Sequence, residues 1–428
     1  MPATRPHGMT GAGLPAVLLA VTGLLVGLDT GLISGALDPI ARHFAMGLTA
    51  QEQTVSIVMI GAACASWTAG ICARRLGRRR TLRLALLCAL AGAALCVTAP
   101  SPLQIMAGRL IMGAAIGTFA FLTPLYVAEL APDRLRGRLI STYSLLQSAG
   151  ILLGYLTGAA LDPATMWRVM IGVPFLPAAL LLILSKLVPE SPPWLVAQGR
   201  VPDARAVLRR LRNDATMAER ELTDIERAGG TTTTAGFAFL RGHPFFRRTL
   251  MLGIALQVFQ QFSGVNVILY YAPRLTRQAG VADAWVPWVP VAVGVANVLV
   301  GVVAVLVVDR LGRRRLLIAS FLIMAVALAL SAVCAGATFA GAPWGLIAGL
   351  VLFVIGFGLG AGPVVWMLCS EIQPEEGREF GVACSTLANW IADWLISSLS
   401  SMSWRPWGSG RPWAFWPPST WPSRSWHS

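Results

Sequence analysis

Residues 257–273 read QVFQQFSGVNVILYYAP, with three glutamines, an asparagine and two tyrosines inside an apolar run long enough to cross a bilayer. The chemistry open to these side chains is recognition. An amide both donates and accepts hydrogen bonds, which suits a ligand covered in hydroxyls. In hydrocarbon an amide is costly unless partnered, so this helix should turn toward a polar cavity rather than lipid. At about 100° per residue, Gln257, Gln260, Gln261, Gly264 and Tyr271 share one face. Asn266 falls off that face in a straight helix. A break at Ser263-Gly264 would swing it toward the same cavity. A lone glutamine would read as glue between helices; a cluster of this density reads as a binding face.

The elements that hold this face follow from composition. Of 428 residues, 55% are hydrophobic and only 13% charged, with a mean hydropathy of +0.65. A soluble chain would carry about a quarter charged residues. Apolar runs of bilayer-spanning length recur, near residues 14–36, 52–73, 82–99, 102–125, 139–161 and 167–188. After a polar segment they resume near 247–272, 285–308, 315–340, 343–369 and 380–402. The fold class is therefore an all-α polytopic membrane protein. Arginines concentrate in alternate connections, at 74–83, 134–138, 200–227 and 310–315. By the positive-inside rule this places the N-terminus and the long middle segment in the cytoplasm. Residues 1–13 read as a cytoplasmic tail rather than a cleaved signal.

Other function classes are excluded on the same grounds. The net charge of +14 lies in those loops, so no nucleic acid is expected as a partner. Seven cysteines fall mostly inside the spans without metal-ligand spacing. The four histidines, His7, His43, His243 and His427, lie outside them. No metal, no cofactor and no nucleophile–base pair is expected, and the chain does not read as an enzyme.

The chain also repeats. RLGRRR occurs at 75–80 and again at 310–315, 235 residues apart, and Glu129-Leu-Ala-Pro with Arg136 returns as Glu371-Ile-Gln-Pro with Arg378, 242 apart. Two unrelated repeats at nearly one offset indicate two homologous halves. The expected organisation is an N-terminal six-helix bundle over 1–188, a cytoplasmic helical linker over 189–246 and a C-terminal bundle over 247–402. Within the linker, helices are expected at 202–212 and 216–228, and a flexible joint at 229–236. Asp29 is a lone carboxylate inside the first span, where it needs a partner. Arg109 in the fourth span is the candidate.

The chain resembles the sugar porters of the major facilitator superfamily. The residues that carry the resemblance are GLDTG at 27–31 with ISGA at 33–36, both RLGRRR loops, and YVAELAPDRLRG at 126–137. PESP at 189–192, QQFSGVN at 260–266 and CSEIQP at 369–374 also match. The resemblance covers roughly residues 14–400 and implies two six-helix bundles rocking around a central sugar site in an inner (plasma) membrane, in a monomer. It implies that Gln260, Gln261, Asn266 and Asn389 bind sugar hydroxyls, and that Trp366 and Trp390 stack on or cap the ring. It implies that Asp29 couples a proton and that Arg109 senses its charge. It further implies cytoplasmic ion pairs of Glu129, Arg136, Glu371 and Arg378 with Arg78, Arg79, Arg313 and Arg314. The partners implied are a monosaccharide (hexose or pentose), a proton and the lipid bilayer. A sugar uniporter, a non-transporting sugar sensor and an inactive truncated transporter are the alternatives.

Several positions depart from that family's pattern. Ser144 stands where a sugar-binding glutamine is usual, with Gln147 nearby, and Val26 replaces an aromatic. Pro193 replaces an arginine, and Asp393 replaces an asparagine, adding a second carboxylate within a span. At the end, residues 404–428 hold six of fifteen tryptophans, five prolines and no Leu, Ile or Val. That density of proline prevents a regular twelfth helix. With one lysine against 33 arginines, the gene is expected to be GC-rich and this tail the product of a shifted reading frame. The rival reading is a genuine exported tail.

Overall fold

The computed structural model describes residues 13–399 apart from 162, 213, 228–235, 279, 336–340 and 375–376. The expected tail and the 229–235 part of the joint lie outside the described residues. The first half contributes α1 (Gly13–His43), α2 (Leu48–Leu76), α3 (Arg78–Val97), α4 (Pro102–Leu130) and α5 (Asp133–Ala160). Its sixth span is split into α6 (Pro163–Gly172) and α7 (Phe175–Leu184). The linker holds α8 (Pro192–Ala197), α9 (Val201–Leu211), α10 (Ala215–Arg227) and α11 (Gly236–Gly242). In the second half α12 (Pro244–Phe262) and α13 (Val265–Gln278) make span seven, followed by α14 (Trp288–Leu311) and α15 (Arg313–Ala335). Span ten is α16 (Ala342–Gly356), a π-helical turn (Phe357–Ala361) and α17 (Pro363–Glu371); α18 (Arg378–Leu399) is the eleventh. Among the described residues these elements form ten segments long and apolar enough to cross a membrane. With α18, whose polar residues lower its hydropathy, all eleven expected spans are present, and α9 and α10 fall within a residue of their expected positions.

Without a hydrophobic drive between helices in lipid, close packing needs small side chains. α1 and α5 meet through Gly27, Gly31, Gly150 and Gly154; a Cβ on Gly154 would lie 2.7 Å from the Gly31 Cα. α2 packs on α4, α3 on α4, α12 on α18, and α15 on α16. The halves meet where α2 lies along α18, α5 along α14 and α1 against α13.

Linker residues cap the arginine-rich end of the first half. α8, α9 and α10 share a small core of Trp194, Leu195, Ala204, Leu208, Ala218 and Leu222. Trp194 Nε1 donates to the Arg74 carbonyl at 2.8 Å, and Arg212 Nη1 to that of Leu130 at 2.8 Å. The Tyr126 hydroxyl donates to the Pro189 carbonyl. Glu190 of the PESP motif accepts from the backbone N–H of Arg78 at 2.8 Å and of Arg79 at 3.1 Å, satisfying orphan donors at the start of α3.

The two halves carry unequal versions of one ion pair. Arg78 grips Glu129 through Nε at 3.0 Å and Nη2 at 2.7 Å, with side chains 1% and 9% exposed. Arg313 reaches Glu371 at 3.1 Å, but these side chains are 36% and 45% exposed. Both pairs join helices of the same half. Breaking a buried pair strands a charge and costs about 3–5 kcal/mol, whereas an exposed pair contributes about 0–1 kcal/mol. Glu129→Ala is therefore expected to lower the thermal unfolding midpoint of the detergent-solubilised protein far more than Glu371→Ala. Equal shifts would contradict this assignment.

Candidate functional site

Span seven breaks where its sequence permits. α12 ends at Phe262, Gly264 takes φ +82°, which a side chain would resist, and α13 begins at Val265. Ser263 Oγ caps the break by donating to the Gln260 carbonyl at 2.6 Å. The break turns Asn266 back onto the α12 face, and its Nδ2 donates to Gln261 Oε1 at 3.0 Å. Span ten opens in the same way. Its π turn leaves the Ala361 and Gly362 carbonyls to accept from Gln260 Nε2 at 2.6 and 3.2 Å. Ser320 braces that turn, donating to the Gly356 carbonyl at 2.6 Å and accepting from Ala361 N–H at 2.8 Å.

Asn389 on α18 closes the network. Its Nδ2 donates to Gln257 Oε1 at 2.6 Å and Gln260 Oε1 at 3.0 Å, while its Oδ1 accepts from Gln261 Nε2 at 3.0 Å. Gln257, Gln260, Gln261 and Asn389 are all buried. The expected recognition amides Gln260, Gln261, Asn266 and Asn389 thus come together. Asp393 joins them, its Oδ2 accepting from Asn266 Nδ2 at 2.7 Å. Among the described residues, Gln257 Nε2, Tyr271 OH and Trp390 Nε1 have no hydrogen-bond partner, although the Cys369 thiol lies beside Gln257. Such leftover buried donors are rare and call for an explanation.

Trp390 packs into an apolar plug with Ile33, Leu37, Val55, Met59, Tyr270 and Tyr271, drawn from both halves. Further along the same helices, Asp38 of α1 pairs with Arg277 of α13 at 2.8 Å. Beyond that lies a vestibule of about 680 Å³, lined by Asp38, Arg42, Gln51, Arg274, Arg277 and Asp283 among others. The amides are therefore sealed from this face by an apolar layer and then an ionic one. Trp366 is half-buried on α17 and, among the described residues, makes no hydrogen bond to the amides.

Asp29 and Arg109 pair as expected. Arg109 Nη1 lies 3.3 Å from Asp29 Oδ1, both side chains 4% exposed, and Arg109 Nε donates to the Thr54 carbonyl at 2.6 Å. At the arginine-rich end, Arg78 meets Glu129 and Arg313 meets Glu371. Arg79 departs from expectation: its guanidinium Nη2 donates to the Lys186 carbonyl at 3.4 Å while its backbone binds Glu190. The linker folds back close enough to take it. Arg136, Arg314 and Arg378 are exposed at this end. Tyr155 was not singled out by the sequence, yet its buried hydroxyl on α5 donates to the Leu269 carbonyl on α13 at 2.7 Å. Tyrosine inside an apolar run was its only signal.

The comparisons agree with this architecture. The family described as "Sugar (and other) transporter" matches residues 16–412. The galactose–proton symporter of Escherichia coli (strain K12) is 39% identical over 404 residues, 93% of this chain and 87% of that one. The arabinose–proton symporter of the same organism is 37% identical over 389 residues, covering 90% and 82%. The structure of the proton:xylose symporter XylE of E. coli, bound to 6-bromo-6-deoxy-D-glucose, matches at a TM-score of 0.79 and 28% identity, covering 91% and 88%. The fold is that of the major facilitator superfamily, and the chain belongs to its sugar transporter family.

Proposed function

We propose that this chain carries a monosaccharide and a proton together into the cell by alternating access. One observation carries the reading: the buried amides of α12, α13 and α18 hydrogen-bond one another. A network of that kind can exchange its internal bonds for the hydroxyls of a sugar without leaving unpaired groups in the membrane. Gln260, Gln261, Asn266 and Asn389 are the proposed sugar ligands, with Gln257 Nε2 and Trp390 Nε1 as spare donors. The ring of Trp390, and of Trp366 on α17, would cover the apolar face of a pyranose. Relatives named for galactose and arabinose, and a solved structure named for xylose, support a hexose or pentose as cargo.

Asp29 and Arg109 are the proposed coupling pair. Protonating Asp29 removes the charge that Arg109 Nη1 faces, leaving the guanidinium held by the Thr54 carbonyl and free to change partner. Proton and sugar can shift the balance of states only through their differential affinity for each. By the positive-inside rule the arginine-rich end, with the proposed latch residues Arg78, Glu129, Arg136, Arg313, Arg314, Glu371 and Arg378, lies in the cytoplasm. The plug and the Asp38–Arg277 pair then close the outer path. One chain supplies both the proton pair and the amides, so a monomer suffices.

The test is uptake of labelled D-galactose, L-arabinose and D-xylose by the full chain in proteoliposomes. At least one sugar should accumulate when the outside is acidified and lose that accumulation with a protonophore. Asp29→Asn should abolish accumulation, leaving equal concentrations on both sides, while retaining exchange of sugar across the membrane. Accumulation by Asp29→Asn equal to that of the unaltered chain would contradict the coupling role.

A further inference from the structure

Asp29 has a counter-ion; among the described residues Asp393 has none. Asp393 lies one turn beyond Asn389 on α18 and is 1% exposed. Among the described residues it makes no salt bridge. Oδ2 accepts from Asn266 Nδ2 at 2.7 Å and Oδ1 from Ser397 Oγ at 3.3 Å. An ion without a counter-charge at that depth is costly to hold, whereas a neutral acid can keep the same two contacts.

The surroundings of Asp393 leave little else to titrate. α12 offers the amides Gln257, Gln260 and Gln261, and α2 offers Val55 and Met59 through the plug. Glu52 of α2 and Arg274 of α13 lie farther along, beside Tyr271. Glu371 of α17 is at the arginine-rich end with Arg313. From α13, Tyr270 stands between the halves. Its hydroxyl lies beside Thr30 and within electrostatic reach of Asp393, Asp29 and Arg109. The Asp29–Arg109 pair of α1 and α4 is thus the charged neighbour.

We propose that Asp393 is a second proton-binding group, and that its protonation decides whether Asn266 is available to the sugar. The proposal rests on the reading of the amides as the sugar site. When Asp393 is ionised, the Asn266 N–H···O bond is charge-assisted and about twice as strong as a neutral one, which commits the Asn266 donor to the carboxylate. A proton taken from the water of the open face forms an O–H bond on the carboxylate. Asn266 then donates to a neutral oxygen and is released to a sugar hydroxyl at lower cost. When the site opens to the other face, the O–H bond breaks, the proton passes to that water, and Asn266 returns to the carboxylate. Sugar affinity then falls as pH rises, independently of Asp29.

The experiment measures the Kd of D-galactose, L-arabinose and D-xylose across pH on the full chain, in the Asp29→Asn background, to isolate the second group. In that background the Kd of the sugar that binds should weaken as pH rises, approaching about tenfold per pH unit for one linked proton. Adding Asp393→Asn, which keeps shape and hydrogen bonds, should flatten the profile. Adding Asp393→Glu instead should restore a limb, which a purely structural role would not do. A limb that survives Asp393→Asn, or a flat profile in Asp29→Asn alone with binding intact, overturns the proposal. If no sugar binds the unaltered chain at any pH, the amide reading itself fails and the proposal falls with it.

Discussion

Every polar group drawn into the interior of a membrane protein must find a partner there, because hydrocarbon supplies none. That constraint organises the second half of this chain. The amides of α12 could not satisfy one another along a straight helix. Gly264 breaks span seven so that Asn266 meets Gln261, and the π turn at Phe357–Ala361 releases carbonyls that Gln260 takes. Each break leaves backbone groups that side chains then serve: Ser263 at the first, Ser320 at the second. Irregular backbone at membrane depth is tolerated where it is buried in protein or lines a cavity, and both breaks lie on the same network.

The first half solves the same problem with charge and close packing. α1 and α5 approach through glycines, which suits a rigid body, and the burden falls on two ion pairs, Asp29–Arg109 and Arg78–Glu129. The halves therefore differ in chemistry although they repeat in sequence. One buries ion pairs, the other a network of amides. Tyr270, Tyr155 and the plug of Ile33, Leu37, Val55 and Met59 are among the places where the two touch.

Much of this was legible in the chain itself, for physical reasons. Spans announce themselves because bilayer thickness fixes their length, and the linker helices because their apolar positions recur at helical spacing. The break at Ser263-Gly264 was legible because glycine follows amides in a run that cannot face lipid. Asp29 and Arg109 were legible as lone opposite charges in apolar spans. What sequence could not supply was partner choice. Nothing in the letters says that Gln260 would spend its amide N–H on two carbonyls of span ten, since the π turn that frees them is a tertiary result. Arg79 looked like Arg78, yet Arg78 grips Glu129 while Arg79 takes the Lys186 carbonyl, because the returning linker brings Glu190 and Lys186 beside it. Asp393 stood out as an extra carboxylate, but its bond to Asn266 needed two helices 127 residues apart.

The central claim is that the amide network at the span-seven break is the part of the protein that trades its own bonds for those of a sugar. Hydrogen–deuterium exchange of the reconstituted chain tests it most directly, reading backbone amides across residues 257–271 with and without saturating D-galactose, L-arabinose or D-xylose. The account predicts that a transported sugar slows exchange at this break and at residues 356–363, while the glycine-packed contact of α1 and α5 is unchanged. A transported sugar that alters exchange elsewhere and leaves both breaks untouched would contradict it.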